Sequence, residues 1–146
     1  MEIGGDSNIN IPYIIIYMGN SLTVNKIGFE DMQKVLSDAL IISTLPNEKQ
    51  QCLIQNTISS YNEEKIINNY LSKDKSKLII IYGENTLDDS VYNKYNQLYK
   101  LGFTKIYLYV GGLFEWLLLQ DIYGTEEFKT STYEIDILKY KPTKNL

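Results

Sequence analysis

Histidine and arginine are both missing from this 146-residue chain, so all 14 basic residues are lysine. Histidine is the usual proton exchanger near neutral pH, and arginine is the rigid fork that grips carboxylates and phosphates at two points. Without them a Ser-His-Asp triad, a histidine metal site and an arginine finger are excluded. Cysteine is nearly missing too. Cys52 stands alone, so no intrachain disulfide can form, a cysteine-based zinc site is not expected, and no cofactor is expected. A single thiol suits a reducing, intracellular setting, here read as cytoplasmic. The early apolar run Ile14 to Met18 is far shorter than the roughly 20 residues a membrane helix needs. Residues Met1 to Asn10 carry Glu2 and Asp6 in place of the basic start of a secretory leader, so no export signal and no membrane association are expected. Concentrated positive charge is also absent. With a formal net charge of -4 and a pI near 4.8, the chain offers no basic face to displace counterions from a nucleic acid.

What is present is a strong apolar pattern in a chain the size of one domain. Ile9 to Met18 suits a strand, with Pro12 pointing to an edge, and Gly19-Asn20-Ser21 is a turn before Leu22 to Ile27 resumes an extended pattern. Phe29, Met32, Val35, Leu36 and Ala39 recur at helical spacing over Phe29 to Ala39. Leu40 to Thr44 is a short apolar run of the kind covered on both faces, and the polar connection from Leu45 has room for a helical turn. Asn62 can cap a helix in which Ile66, Ile67, Tyr70 and Leu71 share a face. Leu78 to Tyr82, an unbroken apolar pentad between Lys77 and Gly83, fits a central parallel strand.

Beyond it, Val91, Tyr95, Leu98 and Leu101 share a helix face that Gly102 closes. Lys105 to Val110 is the next strand, Gly111-Gly112 a turn, and Leu113 to Gln120 a helix apolar enough to be mostly buried. The alternation of Tyr133, Ile135 and Ile137 predicts a strand-like or extended arm over Tyr133 to Tyr140, with a short helix there as the alternative. The expected division is an N-terminal strand or hairpin extension over 1–25, the main domain over 26–120, and a C-terminal extension over 121–146 packed on it.

Ligands of such sheets sit at the carboxyl ends of the strands. That rule selects the loop after Tyr82, namely Gly83, Glu84, Asn85, Thr86, Leu87, Asp88 and Asp89, as the candidate ligand loop. Asp88 or Asp89 reads as the cap of the following helix. Cys52 has Gln50, Gln51 and Leu53 as neighbours and no cation among them, so it reads as a small core residue with a nucleophile as the weak alternative. Trp116, beside Glu115, reads as a core anchor. Tyr92, Tyr95 and Tyr99 lie at helical spacing and predict an exposed aromatic stripe beside the loop, the one feature that suggests a protein partner. Thirteen tyrosines and the heavy use of Ile, Asn and Lys otherwise read as A/T-rich codon usage.

The stretch Leu101-Gly102-Phe103 through Val110-Gly111-Gly112 to Trp116, with Phe29-Glu30-Asp31-Met32 and Leu40 to Pro46 before it, resembles the rhodanese family over about Lys26 to Gln120. The resemblance implies a three-layer α/β fold with a central, mostly parallel sheet and helices on both faces. It also implies where a nucleophile would stand: active members carry a cysteine directly after the central strand, holding sulfur as a persulfide. Here that position is Gly83. Basic loop residues of active members are replaced by Glu84, Asp88 and Asp89, and Ser43 and Leu45 stand near a family Asp and Arg.

A catalytically inactive domain acting as a binding or scaffold module is therefore expected. A thiol enzyme using Cys52 or a partner's cysteine, and a structural or virion-associated protein, are the alternatives. Ile80-Ile81-Tyr82-Gly83, Lys94-Tyr95-Asn96-Gln97 and Phe114 to Gly124 resemble the small rhodanese-like proteins of giant DNA viruses.

Overall fold

The structure, a computed structural model, describes residues 23–143. Four strands and four helices alternate: β1 Lys26–Ile27, α1 Phe29–Val35, β2 Leu40–Ser43, α2 Glu63–Lys73, β3 Ile79–Tyr82, α3 Ser90–Leu101, β4 Ile106–Tyr109 and α4 Gly112–Tyr123. Of two short 3-10 helices, Asn47–Lys49 lies between β2 and α2 and Ile137–Tyr140 follows α4. The strands form one sheet in the order β1-β4-β3-β2, and every pairing is parallel.

The apolar pentad takes an inner position because both its faces are covered. Ile79, Ile80, Ile81 and Tyr82 are all buried. Ile80 and Tyr82 pack with Met32, Leu113 and Trp116 on the α1 and α4 side. Ile79 and Ile81 pack with Ile67, Val91, Tyr95 and Leu98 on the α2 and α3 side. This period-two division, repeated in β4 by Tyr109 and Leu108, makes three layers around the sheet. Register then fixes the site, since Tyr82 pairs with Ser43 on one side and Tyr109 on the other and aligns three strand ends beneath the Gly83 loop.

Helix ends mostly follow the sequence. Gly102 closes α3 with φ 107, and its N–H reaches the Leu98 and Tyr99 carbonyls, a termination that the left-handed region permits at little cost only to glycine. Asn62 precedes α2, but its side chain makes no cap bond. A capping side chain needs extended backbone beneath it, whereas Asn62 is already in the right-handed region and donates its N–H to the Ser59 carbonyl.

The C-terminal arm departs from expectation. It forms no strand over Tyr133 to Tyr140, and Ile137–Tyr140 is a 3-10 helix. Tyr133 and Ile135 are 68% and 81% exposed, so their alternation marks no buried face. The Glu134 carboxylate bends the segment by accepting the Asp136 N–H at 3.0 Å and the Lys139 ammonium at 3.1 Å. Phe128 and Tyr140 are the buried anchors. The expected N-terminal strand or hairpin falls on residues outside those described, apart from the short β1.

Candidate functional site

The loop 83–89 is held against the start of α4. The Leu113 N–H donates to the Gly83 carbonyl at 2.9 Å, and the Phe114 N–H to the Glu84 carbonyl at 2.8 Å. This approach depends on Gly112, whose φ is +70 and whose position leaves no room for a side chain: a Cβ there would lie 2.7 Å from the Gly83 carbonyl oxygen and 2.9 Å from the Asn85 nitrogen. Within the loop, Asn85 Oδ1 accepts the Leu87 N–H at 2.9 Å, and the Asn85 carbonyl accepts the Asp88 N–H at 3.2 Å. Asn85 Nδ2 donates to the Tyr140 carbonyl at 2.8 Å and ties the loop to the C-terminal segment.

Of the two candidate caps, Asp88 is the one engaged. Its carboxylate accepts the N–H groups of Glu84 at 2.9 Å and Ser90 at 3.0 Å, together with the Ser90 hydroxyl at 2.6 Å. Asp89 precedes α3 without a side-chain cap bond, and only its carbonyl is used, by the Tyr92 N–H at 3.1 Å. Thr86 and Leu87 are exposed. Gly83 is buried, and a Cβ on it would lie 2.5 Å from Asp88 Oδ2 and 3.1 Å from Thr44 Oγ1.

A pocket of about 340 Å³ opens over the loop, between Glu84, Leu87 and Asp88 on one side and Leu138, Lys139 and Lys141 on the other, with Lys49 between them. Lys49 Nζ bonds Glu84 Oε1 at 2.9 Å and reaches the Lys139 carbonyl at 3.5 Å. The loop itself carries no cation. Its positive charge comes instead from a 3-10 helix after β2 and from the C-terminal segment, which no spacing in the sequence brings together.

Cys52 is 1% exposed, lies in the core with Ile54, Tyr82 and Tyr140, and donates its thiol to the Thr132 carbonyl at 3.4 Å. It faces the C-terminal segment and makes no hydrogen bond to the loop among the described residues. The tyrosine stripe is corrected by the structure. Tyr95 is 4% exposed, shares the core face with Val91 and Leu98, and its hydroxyl accepts the Asn25 N–H at 3.4 Å. Tyr92 is half-buried and only Tyr99 is exposed. Residues 92, 95 and 99 straddle the boundary of the buried arc, and Tyr95 belongs inside it.

Two phenols beneath the loop are held strongly neutral. Burial raises the Tyr82 pKa, against its hydrogen bond with the Thr57 hydroxyl and the one it accepts from the Ile54 N–H. Burial raises Tyr109 as well, reinforced by the Glu115 carboxylate that accepts its proton at 2.6 Å. A folded-state pKa above the unfolded value of about 10 means stability that is fully present below pH 10 and lost as pH climbs through the folded values. An alkaline titration is therefore expected to show tyrosinate absorbance from Tyr82 and Tyr109 only together with loss of the circular dichroism of the fold. Ionisation of every tyrosine near pH 10 with the fold intact would contradict it.

Among the described residues no group of His, Cys, Asp and Glu side chains could hold a metal, and no helix is long and apolar enough to cross a membrane.

A parallel sheet covered on both faces, with a loop at the end of an inner strand seated on the start of the last helix, defines an α/β domain whose site lies at the carboxyl edge of its strands. The chain belongs to the rhodanese-like domain family, whose model matches residues 39–119. The crystal structure of the Alr3790 protein from Anabaena sp. is similar with a TM-score of 0.52 at 18% identity, covering 77% of this chain and 97% of that one. The solution structure of the rhodanese-like domain of the same Anabaena protein gives 0.50 at 19% identity, covering 85% and 95%. At such identities the likeness is one of fold. A comparison with curated proteins finds no match. None of these findings bears on the likeness to giant-virus proteins.

Proposed function

We propose that this chain is a catalytically inactive rhodanese-like domain that works as a binding or scaffold module. One observation carries the reading: the position where the family resemblance puts the sulfur-carrying cysteine is Gly83, and the Asp88 carboxylate fills the space its side chain would need. A persulfide requires a thiolate at that point. The only thiol, Cys52, is buried under the C-terminal segment instead.

The resemblance to small giant-virus proteins supports a host-cytoplasm or virion setting for such a module. The pocket over the loop supports contact with a ligand or partner there, and Tyr99 is what the corrected stripe leaves exposed.

A thiosulfate sulfurtransferase assay tests the reading. Turnover is expected to stay at background in the wild type and in Gly83→Cys, because a Cβ at this position meets Asp88 Oδ2 at 2.5 Å. Wild-type turnover that disappears in Cys52→Ser would overturn it, whereas robust turnover in Gly83→Cys would show that the loop's backbone amides suffice once a thiolate is restored.

A further inference from the structure

Lysines that the composition scatters along the chain gather at the amino end of the sheet, opposite the Gly83 loop. Lys73 ends α2, Lys75 lies in the turn that follows, Lys77 comes just before β3, Lys100 is in the last turn of α3, and Lys105 immediately precedes β4. Main-chain bonds hold these segments side by side. The Lys75 carbonyl accepts the Thr104 N–H at 3.1 Å, and the Lys105 carbonyl accepts the Ile79 N–H at 2.9 Å. The Lys75 side chain lies over Gly102 at the end of α3, its Nζ 3.4 Å from where a Cβ would stand. Asp74 is held below the ordinary carboxylate range first by its bonds from the Ser76 hydroxyl and N–H, then by Lys77 and Lys105 nearby. Lys77 Nζ donates to the Asp38 carbonyl at 2.8 Å. Lys73, Lys75, Lys100 and Lys105 are exposed, and Lys77 is half-buried.

A structural reason accounts for part of this cluster, because helix carboxyl ends favour cations and both α2 and α3 end here. Two helix ends amount to only about one negative charge, and Asp38 and Asp74 are the acids of these turns, so five lysines leave a surplus. Among the described residues none of the five forms an ion pair with a carboxylate, whereas Lys49, Lys94 and Lys139 each do. On a chain of net charge -4 the result is a two-ended molecule, with a positive face at one end and acid over the rest. Leu101 and Tyr99 are exposed beside Lys100, at 40% and 46%.

We propose that this end of the molecule is a docking surface for an anionic lipid membrane, with the five lysines meeting the headgroups and Leu101 entering the boundary between headgroups and acyl chains. Three observations favour lipid over other polyanions. Lysine is a point charge suited to a diffuse field of phosphates, and the chain has no arginine to grip individual ones. An exposed leucine among lysines gains from an acyl boundary and finds no counterpart on a nucleic-acid backbone. A flat bilayer touches one end only, whereas a duplex long enough to pass the patch brings phosphates against the acidic remainder. The surface is remote from the loop, so the proposal stands independently of the inactive reading.

Sedimentation of the full chain with phosphatidylcholine vesicles, with and without phosphatidylserine, tests it. Binding to the anionic vesicles is expected to be at least about tenfold tighter than to the neutral ones and to weaken as potassium chloride is raised. Lys100→Gln combined with Lys105→Gln is expected to weaken it by about 25-fold, at about fivefold per lysine. Lys65→Gln combined with Lys129→Gln removes the same charge from exposed positions outside the patch and is expected to leave binding nearly unchanged. Leu101→Ser is expected to cost about fivefold through lost apolar burial, and circular dichroism shows that each variant is folded. Equal binding to neutral vesicles, an equal loss in the control pair, an unchanged affinity in Leu101→Ser, or duplex DNA bound as tightly as the anionic vesicles overturns the proposal.

Discussion

Replacing Trp116 with alanine is expected to remove about 3 to 5 kcal/mol of stability, the range for deleting a large buried aromatic. Trp116 is 0% exposed and occupies the centre of the α1 and α4 side of the core. Its ring stands edge-on to Tyr109 at 5.9 Å and to Phe128 at 5.0 Å, arrangements that add to area burial. Its Nε1 donates to the Lys129 carbonyl at 3.0 Å, which also accepts the Gln55 N–H, so alanine removes one of that carbonyl's two hydrogen bonds. Phe128 and Lys129 belong to the segment after α4, and the same substitution is expected to loosen that segment from the body. Urea unfolding followed by circular dichroism measures the loss. A change below about 1 kcal/mol would mean that the aromatic cluster adds little beyond its neighbours. Trp116→Phe, which keeps the ring and loses the donor, is expected to fall between the two.

Gly112→Ala is the second large effect, expected at about 2 to 4 kcal/mol, combining left-handed backbone strain with overpacking. All three nearest atoms to its would-be Cβ are backbone: the Gly83 oxygen at 2.7 Å, the Asn85 nitrogen at 2.9 Å and the Glu84 carbonyl carbon at 2.9 Å. No rotamer change relieves such a clash, so the loop must move away from α4 and weaken the bonds from Leu113 and Phe114. Gly124 supplies the control. Its φ is +106 and its ψ 159, a region open essentially to glycine alone, and a Cβ there meets nothing within 4 Å, so Gly124→Ala reports backbone strain alone, about 1 to 3 kcal/mol. Equal losses at the two glycines in thermal denaturation would remove the packing argument. A larger loss at Gly112, with amide shifts spread over residues 83 to 88, is the expected result.

The fold was legible wherever one local signal sufficed. The pentad ending at Tyr82 is apolar because both of its faces are covered, and Gly102 stops α3 because the chain turns left-handed there. Face assignment was harder. Tyr95 followed the buried arc of Val91 and Leu98, whereas Leu101, on the same expected face, is 40% exposed because it sits in the last turn. The site was legible in position and not in content.

Asp88 was readable as a cap, but its place beside Gly83 follows from the turn at Asn85. The lysines of the pocket are joined to the loop through space: Lys49 meets Glu84 35 residues away, and Asn85 meets the carbonyl of Tyr140 55 residues away. Periodicity carries no information about such pairs. It misled at Tyr133 and Ile135, where alternation in an exposed turn imitates a strand.

The clasp between the Cys52 segment and the segment after α4 can close only late in synthesis. The Gln55 N–H donates to the Lys129 carbonyl at 3.0 Å, the Ser131 N–H to the Leu53 carbonyl at 2.8 Å, and the Thr132 hydroxyl to the Gln51 carbonyl at 3.0 Å. Each joins residues separated by more than seventy positions, the kind of long-range closure that slows folding. A nascent chain that has exposed only residues up to 119 holds all four strands yet lacks Phe128, Tyr140 and the carbonyl that receives the Cys52 thiol. Translation runs at about 5 to 20 residues per second, so the remaining residues up to Tyr140 arrive over roughly one to four seconds. During that interval the four strands are all made while their apolar flank and the chain's only thiol stay open to chaperones and oxidants.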